Sequence, residues 1–141
     1  MTKDLEKARN LLRQGGYTCV LCRGEKTVTH CRRGVAPLLD MLDSEESFEA
    51  FSAADKVVGK AAAMLYVRLK VAAVYAEVIS EPALQVLRQH EIRTEHLRCV
   101  EAIRNRTDTG NCPMEMAVLA LEDPAQAENA IREKLRQLQR S

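Results

Sequence analysis

The chain has 141 residues, 46% hydrophobic and 29% charged, with a formal net charge of +1, which predicts a single domain over residues 1–141 with a sizeable core. The near-neutral charge gives no general pull toward nucleic acid or an anionic membrane, and the absence of Trp argues against a base-stacking platform. No apolar run is long enough to span a bilayer and the N-terminus reads as a charged helix rather than a signal peptide, so a cytoplasmic protein with five reduced cysteines is expected.

Residues 2–14 form an amphipathic pattern, with Leu5, Ala8, Leu11 and Leu12 on one face and Gly15-Gly16 as the stop. Residues 17–23 and 27–33 are β-rich runs around Gly24-Glu25-Lys26, a hairpin signal. Residues 35–42 read as a short helix carrying Leu38, Leu39 and Leu42, with Pro37 in its first turn, and residues 43–50 as a surface loop. A helix is predicted over residues 52–65: Ser52 and Asp55 resemble a capping box, and Val57, Val58, Ala61, Ala62 and Leu65 recur at helical spacing. Gly59 would lie inside it, where the helix approaches the sheet closely. The run 71–79 is short and β-branched enough for a strand covered on both faces.

Ser80 and Pro82 open the next helix, residues 81–90, with Leu84 and Leu87 inward. A further strand is expected over 94–100, then a polar loop over 105–111. Pro113 opens a helix with Met114, Ala117, Val118 and Leu121 on one side. Asp123-Pro124 starts a last one, where Ala127, Ile131, Leu135 and Leu138 repeat. The hairpin is antiparallel and the later strands need crossovers. The predicted fold is therefore α/β: a three-layer sandwich with a mixed sheet of four or five strands and helices on both faces.

Several stretches resemble an uncharacterised bacterial domain-of-unknown-function family with a cytidine-deaminase-like fold. They are Arg33-Gly34 with Pro37-Leu38-Leu39, residues 54–62, Tyr75-Ala76, residues 78–83, Asn105-Arg106, and Gly110 with Cys112-Pro113-Met114-Glu115. The resemblance implies a fold but no activity. Zinc deaminases place a His or Cys at one helix start, a Glu two residues on, and a Cys-x-x-Cys pair at the next helix start. Here Asp55 or Lys56 would stand at the first ligand position, Val57 or Val58 at the Glu position, and Ala83 and Val86 at the two Cys positions. None of these valines or alanines binds a metal or moves a proton, so no metal, no cofactor and no zinc-dependent cytidine deamination are expected.

Asp55 is either a capping carboxylate or a base and polar anchor. Cys112, just before Pro113 at a helix start, is either a packing residue or a reactive thiol beside Glu115. It is expected to react faster than Cys19 and Cys99, both assigned to covered strands. Cys19, Cys22, His30 and Cys31 could be read as a zinc-ribbon-like set, but residues three apart on a strand face opposite sides, so packing is the expected role. The catalytic candidates are thus Cys112, Asp55 and Glu115, and the candidate ligand contacts are Lys56, Lys60, Arg33, Ser80, Asn105 and Arg106.

Besides a thiol- or zinc-dependent role for the cysteine-rich hairpin, two functions fit this pattern. In the first, the cleft at the helix N-termini binds or modifies an anionic or nucleotide-like small molecule. In the second, the chain is a non-catalytic assembly or ligand-binding module, such as a homo-oligomer. Convergence of Asp55, Cys112 and Glu115 on one open pocket favours the first.

Overall fold

The first helix, α1 (Lys3–Gly15), begins where Thr2 accepts a hydrogen bond from the Leu5 amide at 3.3 Å, and ends where Gly16 takes φ 70°. The computed structural model of the chain describes residues 2–105 and 110–140. After α1 come β1 (Cys19–Arg23) and β2 (Lys26–His30), α2 (Ala36–Asp43), β3 (Ser52–Val58), α3 (Lys60–Leu69), β4 (Ala73–Ser80), α4 (Glu81–Gln89), β5 (Arg93–Val100), α5 (Pro113–Val118) and α6 (Pro124–Arg140).

The strands form a five-stranded mixed open sheet in the order β2-β1-β3-β4-β5. β1 runs antiparallel to both β2 and β3, while β3, β4 and β5 are mutually parallel. One face is covered by α1, whose Leu5, Ala8 and Leu12 pack with Val20, Cys22, Ala54 and Tyr75. The larger core lies on the other face, where α2, α3, α4, α5 and α6 meet Leu21, Ala53, Val74, Ala76 and Ile79. Among the described residues no helix is long and apolar enough to cross a membrane.

The expected helix over residues 52–65 is corrected. Residues 52–58 are the central strand β3, and the helix starts only at Lys60. Ser-Ala-Ala-Asp has good helix propensity, but tertiary pairing overrides it. β3 is bonded on both sides, Cys19 opposite Asp55 in β1 and Ala76 beside Asp55 in β4. Its alanines are wanted for their size: Ala53 and Ala54 are fully buried, one under each helical layer. The Ser-x-x-Asp spacing therefore caps nothing, and Gly59 is the residue before α3 rather than one within it.

α6 is tied to the body by charge as well as by Ala127 and Ile131. Arg132 donates to both oxygens of Asp43 at 2.8 and 3.2 Å and to Glu128 at 3.0 Å, and Arg68 of α3 reaches Glu128 at 3.0 Å.

Candidate functional site

The parallel strands β3 and β4 run directly into α3 and α4, and the antiparallel β1 begins at that same end of the sheet. Ligands of open α/β sheets gather at this end. A cavity of about 410 Å³ opens there, walled by β1 and β3, by residues 32–38, by the start of α3 and by residues around Cys112 and Glu115.

Asp55 lies on β3, on the same side of the sheet as Ala53, and so faces α3. Two turns into α3, the Tyr66 hydroxyl donates to Asp55 Oδ2 at 2.6 Å. Cys19 Sγ lies 3.2 Å from the same phenol oxygen. The phenol has one proton and gives it to Asp55, so the thiol is the donor to the phenol. Asp55 Oδ1 has a weaker partner, the Val57 amide at 3.3 Å. Burial pushes the Asp55 carboxyl up to about 6, against the opposing hydrogen bonds from Tyr66 and from the amides of Val57 and Lys56. Burial, reinforced by the nearby Asp55, also raises the Cys19 thiol and the Tyr66 phenol well above their ordinary values.

Glu115 has a different task from the one its position suggests. It does not turn back on α5. Its carboxylate accepts from the amides of Lys60 at 2.6 Å and Ala61 at 2.9 Å, capping α3, which has no side-chain cap of its own. Burial raises its pKa, opposed by those two amides and by the Lys60 charge. The start of α4 is closed by Ser80, whose hydroxyl accepts from the Ala83 amide at 3.2 Å. Both helix starts expected to hold an anion are thus filled from within the chain.

The remaining candidates divide. Lys60 is buried, its ammonium donating to the Leu119 carbonyl at 3.0 Å, and Ser80 is fully buried. Arg33 and Lys56 are exposed at the cavity's mouth. Both are free of ion pairs among the described residues and are the cations available to a ligand there. Neighbouring Arg32 is paired with Asp40. Asn105 donates its amide to the Gly110 carbonyl at 2.9 Å and is not part of the cavity wall, and Arg106 lies outside the described residues.

Cys112 is half-buried on the wall, so Asp55, Cys112 and Glu115 do converge on one cavity. The reactivity order set for the thiols needs correction, because Cys99 is exposed: β5 is an edge strand, not a covered one. Cys19 and Cys22 point to opposite faces, one into each core. With α3 starting at Lys60, the first turn compared with a zinc enzyme becomes Lys60, Ala61 and Ala62, again without a ligand set. Among the described residues no group of three or more His, Cys, Asp or Glu has metal-binding geometry.

Sequence reasoning missed Tyr66 and Cys19. The available signal was weak: a tyrosine on an otherwise apolar helix wants a partner for its hydroxyl.

The family model "TM1506: Domain of unknown function (DUF1893)" matches residues 7–135. A crystal structure of a DUF1893 family protein (TM1506) from Thermotoga maritima superposes with a TM-score of 0.83 at 24% identity, over 97% of this chain and 92% of that one. No curated protein matches the chain.

Proposed function

We propose that this chain, which belongs to the DUF1893 family of unknown function, binds a small molecule with an anionic group in the cavity walled by β1, β3 and the start of α3. The carrying observation is the convergence of Asp55, Cys112 and Glu115 on an open cavity whose volume suits a small ligand. Arg33 stands at the mouth without an ion pair among the described residues, which supports it as the anion's partner. A stacked nucleobase has less support, since no aromatic ring lines the cavity among the described residues. Glu115 acts as architecture in this reading, and Asp55 as the polar anchor.

The reading extends to the fold. A cytidine-deaminase-like arrangement is supported by the element order, a helix and hairpin followed by parallel strands joined through helices. A cytoplasmic setting is supported by five free thiols. The second reading, a module that assembles with copies of itself, draws on the open edge at β5, where Leu97 is 61% exposed. Light scattering of the wild type and of Leu97→Glu addresses it.

A thermal-shift screen of anionic metabolites, nucleotides included, tests the site. A ligand well above its Kd should raise the melting temperature by roughly 5 °C or more, and Arg33→Ala should remove most of that gain. A screen without stabilising compounds, or hits indifferent to Arg33, would overturn the proposal.

A further inference from the structure

The cavity holds a carboxylate without a counter-ion. Asp55 receives a phenol and backbone amides, yet among the described residues no Lys, Arg or His pairs with it. Two nearby cations are otherwise occupied, Arg32 by Asp40 and the Lys60 ammonium by the Leu119 carbonyl, and Lys56, exposed on the cavity wall, forms no ion pair with Asp55 among the described residues. A carboxylate taken out of water without a partner is unfavourable, and in a cavity it marks the place where a ligand supplies the missing charge. Tyr66 fixes Oδ2 from the protein side at 2.6 Å, while Oδ1 accepts the longer 3.3 Å bond from the Val57 amide. That oxygen retains the capacity to accept from a ligand N–H.

Arg33 at the mouth presents the complementary case, a cation without an ion-pair partner among the described residues. The same cavity wall carries apolar side chains, among them Val35, Leu38 and Met114. We propose that the ligand is a zwitterion: a protonated amine or amidinium against Asp55, a carboxylate or phosphate against Arg33, and an apolar body between them. This inference rests on the small-molecule reading above and adds the cationic half.

The test is isothermal titration of the full chain with two matched sets of probes. One set is p-(aminomethyl)benzoate, p-toluate and benzylamine. The other is aminohexanoate, hexanoate and hexylamine. In each set the first compound carries both charges, the second only the anion and the third only the cation. At least one zwitterion should bind about tenfold or more tightly than its anion-only partner, the gain expected of a desolvated charge pair. Asp55→Asn should erase that gain, so that on the variant the zwitterion binds no more tightly than its anion-only partner. The asparagine oxygen can still accept from Tyr66, so the variant should fold, which its melting curve verifies. Anion-only binding without a gain from the amine, or a gain that survives in Asp55→Asn, overturns the zwitterion and leaves the site reading standing. A protein that binds none of the six overturns both.

Discussion

A Cβ placed on Gly59 would overlap the carboxylate of Glu115. The backbone of Gly59 is extended, at φ −96° and ψ −179°, so the glycine is required by space and not by its torsion angles. Its missing side chain lets a carboxylate from α5 reach the first amides of α3.

Gly59→Ala should therefore push Glu115 off the Lys60 and Ala61 amides and cost about 1–2 kcal/mol, the usual value of a lost helix cap. Glu115→Ala should cost a similar amount, roughly 1–3 kcal/mol. The two are not additive: with the cap already gone, the extra methyl has little left to disrupt. Urea denaturation of both single variants and the double variant measures this. A double variant destabilised by the full sum would show that Gly59 acts on something other than Glu115.

Asp55 makes stability depend on pH in an unusual direction for a carboxylate. Its folded pKa is raised from the ordinary 3.8 to about 6, so the folded state holds the proton more tightly than the unfolded chain. Stability from this group is then present below the unfolded pKa and is lost as pH rises through the folded value. Asp55→Asn should consequently stabilise the protein at pH 8 by up to about 3 kcal/mol and have little effect near pH 4. Glu115 and His30 titrate in both proteins and cancel in the difference. Melting curves across that range decide the matter, and an equal effect at both ends would mean that Asp55 is not desolvated.

The thiols should label in the order of their exposure. Cys31 and Cys99 are exposed and should react with iodoacetamide first, followed by half-buried Cys112. Cys19 and Cys22 are 3% and 0% exposed, and burial raises both thiols, so they should label only on unfolding. Peptide mass mapping reads the order. Native labelling of Cys19 would mean that its contact with Tyr66 opens readily.

Arg132 should contribute modestly. It joins α6 to Asp43 at the end of α2 and shares Glu128 with Arg68, but the arginine is partly solvated. Arg132→Ala should cost about 1 kcal/mol at low salt and less at high salt, because screening weakens the wild-type pairs. Denaturation at two ionic strengths checks this, and a salt-independent loss would point to packing of the side-chain stem instead.

Local signals were the readable ones. Thr2 and Gly16 bracket α1, Gly24 turns the hairpin, Ser80 caps α4 and Asp123 opens α6, each within a few residues of the element it bounds. The central strand was obscured because Ala53 and Ala54 are chosen for narrowness between two helical layers, and alanine reads as helix wherever it stands. The site was half visible. Asp55, Cys112 and Glu115 could be picked out as polar or reactive residues near element ends. Their partners could not: Tyr66 reaches Asp55 across a helix–strand interface, and Glu115 reaches Lys60 from 55 positions away. Residue 106, also singled out, lies outside the described residues.

That separation orders events on the ribosome. At roughly 5–20 residues per second, the amides of Lys60 and Ala61 leave the peptidyl centre several seconds before Glu115 is made. Until then α3 begins with bare N–H groups and the cavity lacks the wall that α5 supplies. A nascent chain stalled between β5 and α5 carries Asp55 in an open trough. Arrival of Glu115 both caps the helix and supplies the last wall of the cavity, so one carboxylate ties completion of the site to the late, C-terminal part of the chain.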